Sequence, residues 1–151
     1  RIALTPEAVA LLVRNGHRVL LETDAGLGAK FTDHEYREAG AQIVPSPKEA
    51  YAADVILKVE PPIESEYEFL KRGSTLISAL TVPKLTAEYF HALNQRHVTG
   101  LAFEFIEDKA GGLPIIRAMS EIAGSTVMLI AAEYLSSVND GRGIIVGGIT
   151  G

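Results

Sequence analysis

The chain has 151 residues, 47% of them hydrophobic and 22% charged, which suits one soluble globular domain with a proper core. Its formal net charge of −5, with no basic run longer than Lys71-Arg72, argues against a nucleic-acid surface. It contains no cysteine, which excludes disulfides, zinc–thiolate sites and thiol nucleophiles.

Thr5-Pro6-Glu7 opens a first helix, with threonine as N-cap and proline at the first helical position; Gly16 ends it. Residues 17–23, "HRVLLET", read as a strand. Thr32-Asp33-His34-Glu35 is a capping box that opens a short helix ending at Gly40, and "AQIV" (41–44) is a second strand. Ser46-Pro47-Lys48-Glu49 reads as another capping box. Strand 54–59, helix 64–72, strand 75–80, helix 86–96 and strand 98–104 follow. From 114 to 138 runs a longer helix, apolar on most of its circumference between Ile122 and Leu135. A helix of that kind is buried, either against a second subunit or domain or as a central core helix.

Short strands alternating with helices predict an α/β fold: an open parallel sheet flanked by helices, Rossmann-like or flavodoxin-like, with a long C-terminal helix. The pattern asks for one more strand running into Arg1, and "DGRGIIVGGITG" closes the chain with nothing after it to pack on, so the sequence is expected to be part of a longer polypeptide. No secretory signal pattern opens it. The apolar tract from Ile122 to Ala132, interrupted by Gly124, Ser125 and Thr126, is too short for a membrane span. The expected location is the cytoplasm.

In open parallel sheets, ligands lie beyond the carboxyl ends of the strands. Arg1, Glu22 to Asp24, Lys58, Glu60, Thr81 and Glu104 fall at such ends, whereas His17 and His97 fall at amino ends and His34 and His91 inside helices. No histidine is thereby placed as a general base, and none pairs at metal-ligand spacing, so no metal site is expected. Lys58 and Glu60, two apart on a strand, point the same way. They read equally as a solvated strand end or as part of a site. "GLGAKF" (26–31) and "GRGIIVGG" lack the strand–turn–helix setting of a dinucleotide fingerprint.

The opening "RIALTP", the tract "AGLGAKFTD", then "ADVILKVEPP", "LPIIRAMSEIAG" and "GRGIIVGGITG" resemble the amino-terminal domain of alanine dehydrogenases, a domain shared with the α subunit of proton-translocating nicotinamide nucleotide transhydrogenase. The resemblance covers essentially the whole chain. It implies a substrate domain over 1–140, then a glycine-rich crossing over 141–151 into an NAD-binding Rossmann domain that lies outside this sequence. It further implies that Arg1 binds the carboxylate of pyruvate or alanine and that Ser120 contacts the dinucleotide. The long helix would link the domains and join subunits into a homo-oligomer.

Two positions depart from the family pattern. Glu60 stands where alanine dehydrogenases place a substrate-binding lysine, and Thr81 stands where they place the catalytic histidine. Glutamate reverses the charge beside the substrate oxygen, and threonine is not a competent base at neutral pH. Losing a positioned acid–base group costs roughly 10²–10⁴ in rate. Lys58 and Lys84 are the nearby residues of a chemistry that could compensate. Transhydrogenase α subunits also lack the lysine–histidine pair, their substrate being a second nucleotide held by a partner subunit. Three readings therefore follow: an alanine dehydrogenase-like enzyme, a transhydrogenase-like hydride-transfer domain, and a nucleotide-binding protein of this fold without turnover.

Overall fold

The computed structural model describes residues 2–80 and 85–147. The chain divides into two compact units, 1–103 and 104–151.

In the first unit, helix α1 (Pro6–Arg14) begins where the Thr5 hydroxyl accepts the Ala8 N–H at 3.4 Å, with Pro6 in the first turn. It ends before Gly16, whose φ of +86° suits a residue without a Cβ. Strand β1 (Leu20–Glu22) pairs in parallel with β2 (Gln42–Val44), with Leu20 opposite Gln42. Between them, α2 (Asp33–Glu38) carries the expected capping box: Glu35 N–H donates to the Thr32 hydroxyl, and the Thr32 N–H donates to the Glu35 carboxylate at 2.6 Å. Tyr36 is fully buried beside Val9 and Ala41, and its hydroxyl donates to the Leu4 carbonyl at 2.8 Å. Ile2, Leu4, Val13, Val19, Leu21, Phe31 and Ile43 pack around this core.

After the short helix α3 (Pro47–Ala50) come β3 (Val55–Leu57), β4 (Thr75–Ser78), helix α4 (Ala87–Gln95) and β5 (Thr99–Ala102). The three strands form a second parallel ladder in sequence order, with Ile56 opposite Leu76 and Leu76 opposite Gly100. A separate core of Tyr51, Ile56, Leu70, Leu76, Tyr89 and Leu93 lies against it. Among the described residues every strand pairing is parallel and helices flank the ladders, so the α/β class read from the alternation holds.

Three local expectations change. Residues 64–72 do not form an α-helix but a tighter 3₁₀ segment, Glu64–Phe69. Its Glu66 side chain is turned back onto Lys58 and the Ile63 N–H, and Leu70, fully buried with φ −55° and ψ 116°, leaves helical geometry to enter the core. At Ser46 the expected capping box is not made: no backbone N–H reaches its hydroxyl, which donates instead to the Glu49 carboxylate at 3.1 Å, and the helix lasts only four residues. Strand 98–104 stops at Ala102, and Glu104 lies in a 3₁₀ turn, Phe103–Phe105.

In the second unit, helix α5 (Pro114–Leu135) runs 22 residues and buries none of them. Ile122, Leu129 and Tyr134 are 68%, 73% and 75% exposed. The helix is long and apolar enough, by length and composition alone, to cross a membrane, a longer span than the tract from Ile122 to Ala132 suggested.

Candidate functional site at the strand ends

The carboxyl end of β3 is fixed by backbone bonds that continue past the regular strand. Lys58 N–H donates to the Ile77 carbonyl at 3.0 Å, and Ala79 N–H donates to the Val59 carbonyl at 3.2 Å. Pro61 and Pro62 follow, neither able to donate a ladder bond, and Pro62 is buried. The chain therefore leaves the sheet at a defined place.

Lys58 is committed at that place. Its Nζ donates to both Glu66 carboxylate oxygens at 2.7 Å and to the Tyr51 hydroxyl at 3.2 Å, and it stands 5.6 Å from the Tyr51 ring centroid. Glu66 also accepts the Ile63 N–H at 2.8 Å, so one carboxylate binds the strand end to the loop behind the two prolines. Burial, then the Glu66 charge, pushes the Tyr51 hydroxyl well above the ordinary phenol range, with Glu22 adding to the effect. Tyr51 thus stays a neutral hydroxyl. Within the chain, the Lys58 amino group has a carboxylate and a hydroxyl as partners.

Glu60, two residues on, is exposed. Arg1 and Thr81, with Lys84, lie outside the described residues. Ser120 is exposed on α5, in the second unit, one residue before Glu121, whose carboxylate accepts from Arg117 Nε at 3.0 Å. Among the described residues no cluster of His, Asp and Glu side chains is arranged to hold a metal ion. Sequence reasoning missed Glu66 and Tyr51; the only linear hint was a glutamate three residues after Ile63, at capping-box spacing.

The carboxyl end of β1 is built by the "AGLGAKFTD" tract. Asp33, in the first turn of α2, accepts the Thr23 hydroxyl at 2.7 Å and the Asp24 N–H at 2.9 Å. Those two bonds, the Thr23 one foremost, hold its carboxyl below the usual carboxylate range. They also support Asp24 at φ +61°. Gly26 is buried beneath Tyr36: a Cβ there would meet the Tyr36 ring at 2.5 Å and the Phe31 carbonyl oxygen at 2.8 Å. The tract is a folded turn that presents the strand end, not a phosphate cradle.

The family model for the alanine dehydrogenase/PNT N-terminal domain matches residues 1–123. This chain belongs to that family. The alanine dehydrogenase of Staphylococcus epidermidis is 42% identical over 154 residues, covering 100% of this chain and 40% of the relative. Alanine dehydrogenase 2 of Staphylococcus aureus is 40% identical over the same span and coverage. A solved L-alanine dehydrogenase superposes with a TM-score of 0.89 at 36% identity, covering 99% of this chain and 41% of that one. A transhydrogenase from Sinorhizobium meliloti superposes with a TM-score of 0.63 at 34% identity, covering 70% of this chain and 31% of that one. The chain thus spans about 40% of the length of the alanine dehydrogenases it matches. Within the alanine dehydrogenase/PNT N-terminal domain, the matched stretch contains Arg1, Glu60, Thr81 and Ser120.

Proposed function

We propose that this chain is the substrate domain of an NAD-dependent, alanine dehydrogenase-like oxidoreductase, which interconverts L-alanine with pyruvate and ammonium. The observation that carries the reading is the superposition on L-alanine dehydrogenase along 99% of the chain, against 70% for the transhydrogenase. The transhydrogenase-like reading has no comparable support.

In this reading residues 1–140 form the substrate domain and 141–151 lead into a dinucleotide-binding domain. Arg1 clamps the substrate carboxylate, a task for which a planar guanidinium fork is suited. Glu60 and Thr81 stand at the positions where the family places its substrate-binding lysine and catalytic histidine. Glu60 can take up a proton, and Thr81 orients substrate through its hydroxyl without acting as a base. Lys58 does not replace the absent lysine, because Glu66 and Tyr51 already hold its ammonium.

Bound NAD supplies the hydride acceptor. This chain's own contribution fits a single contact: the Ser120 side chain is exposed, with no hydrogen bond holding it among the described residues. Most of the dinucleotide contacts are assigned to the domain beyond Gly151. The 151-residue chain alone is therefore expected to be catalytically silent. The same reading places the enzyme in the cytoplasm as a homo-oligomer, with the apolar length of α5 covered by the second domain and a neighbouring subunit.

The test is NADH oxidation by the complete protein with pyruvate and ammonium, beside a Glu60→Lys/Thr81→His double variant. Turnover by the natural protein supports the reading. A silent natural protein that still binds NAD(H) tightly, unrescued by the double variant, would replace it with a nucleotide-binding role without turnover.

A further inference from the structure

Glu60 lies inside a short loop that is tied on both sides. Before it, the Lys58 N–H donates to the Ile77 carbonyl at 3.0 Å, and the Val59 carbonyl accepts the Ala79 N–H at 3.2 Å. After it come Pro61 and Pro62, whose rings fix φ and confine the residue before each to extended backbone. Glu60 directly precedes Pro61, so its own backbone is restricted. Pro62 is buried, but Ile63 beyond it is 64% exposed and gains little hold from packing. The far side of the loop is held instead by a polar bond, and Glu66 supplies it.

One carboxylate serves both sides. Glu66 accepts the Ile63 N–H at 2.8 Å and receives the Lys58 ammonium at 2.7 Å on each oxygen. Tyr51, 4% exposed and part of the core against the three-stranded ladder, accepts from the same ammonium at 3.2 Å. A polar bridge therefore runs from the core through Lys58 and Glu66 to the far side of the double proline, and exposed Glu60 lies within its span. Stability alone does not ask for such a bridge. Apolar side chains of similar volume would cover a strand end without desolvating two charges. What the charges add is direction, because a carboxylate accepts along defined lines at both of its oxygens.

We propose that Glu66, acting through the Lys58 ammonium and the Ile63 N–H, is the positioning residue that aims Glu60 at the substrate. The inference rests on the reading of Glu60 as the proton-accepting group of an alanine dehydrogenase-like site. Glu66 and Lys58 do not touch substrate in it; they hold the loop that carries the group that does. A proton acceptor works only within hydrogen-bond reach of its proton, roughly 2.6–3.2 Å between heavy atoms. A loop relaxed by about 1 Å takes the carboxylate out of that range, a displacement that can cost on the order of 100-fold in rate. Grip on the substrate carboxylate belongs to Arg1, outside this loop, so it does not depend on the bridge.

Steady-state NADH oxidation with pyruvate and ammonium, measured on variants of the complete protein, tests it. Lys58→Met/Glu66→Met removes the bridge while keeping the strand end covered. Its kcat is expected to fall about 10- to 100-fold, with KM for pyruvate within about twofold of the natural value. Glu66→Gln keeps an acceptor for the Ile63 N–H and should retain more kcat than the double variant. It also gives the answer if the double variant does not fold: a several-fold loss of kcat at unchanged KM is expected. Gly73→Ala, at the amino end of β4, is the control for lost stability, and below its unfolding temperature it should keep the natural kcat. A folded double variant or Glu66→Gln with natural kcat overturns the proposal, as does a loss of kcat that Gly73→Ala shares. Those results leave the alanine dehydrogenase-like reading standing, because the natural protein turns over in them. A natural protein without turnover removes that reading and this inference together.

Discussion

Lys58 Nζ lies 2.7 Å from both carboxylate oxygens of Glu66, and that carboxylate also receives the Ile63 N–H from beyond the double proline. One ion pair therefore fixes where the chain leaves β3 and how the loop carrying Glu60 returns. The pair is only part-buried, its side chains 27% and 17% exposed. Solvent screening reduces its worth relative to a dry pair. Glu66→Gln is expected to destabilise the fold by about 1–2 kcal/mol, chiefly by leaving the ammonium with a weaker partner. Lys58→Met/Glu66→Met together should cost less than Glu66→Gln alone. Urea unfolding midpoints at constant slope decide between these orders.

Gly26 has no room for a side chain. A methyl group added there would sit 2.5 Å from the Tyr36 ring and 2.8 Å from the Phe31 carbonyl oxygen, with rigid neighbours on two sides. Gly26→Ala should destabilise by about 2–3 kcal/mol, within the cost of overpacking a core. Gly73→Ala, with open space around it but φ +75°, should cost less. Thermal unfolding of the two variants side by side reads the difference.

Asp33 gives the fold a dependence on acid. Its pKa is lowered from 3.8 by the Thr23 hydroxyl and then the Asp24 N–H. A carboxyl with a depressed folded pKa contributes stability above its unfolded pKa and loses it as pH falls through the folded value. Glu35, lowered from 4.5 by the Thr32 N–H and hydroxyl, acts in the same direction. Stability should therefore fall on acidification below about pH 4, the ordinary carboxylate range. The acid limb should be shallower in Asp33→Asn, measured as the denaturant midpoint against pH.

Helix α5 should reveal itself when the 151-residue chain is handled alone. With Ile122, Val127, Leu129 and Ile130 all at least 45% exposed, it offers a continuous apolar surface. The chain is expected to self-associate at micromolar concentration, and Val127→Lys/Ile130→Lys should reduce that association. Sedimentation velocity across a dilution series measures it. An unchanged monomer at all concentrations would remove the support for subunit association through this helix.

The α/β class, the parallel alternation, the Thr5 and Thr32 caps and the family were all legible from order and spacing. These depend on local propensities and on motifs a linear reading contains. The extent of the 64–72 segment was not legible, because Glu66 has two uses: it suits a helix locally but is claimed by Lys58, eight residues earlier in sequence. The role of Lys58 escaped for the same reason. A strand-end lysine facing substrate and one facing a carboxylate share the same local sequence, and only the position of Tyr51 and Glu66 in space separates them. Gly26 was readable as part of a glycine motif, yet the ring that makes it necessary belongs to Tyr36, ten residues on.

What the sequence determined by itself was the set of elements and their kinship, since both follow from side-chain periodicity and residue identity along the chain. Tertiary structure alone decided which charges meet and which strands pair. Electrostatic pairing and ladder formation depend on distances of a few ångströms between residues far apart in sequence, and no linear spacing encodes those distances.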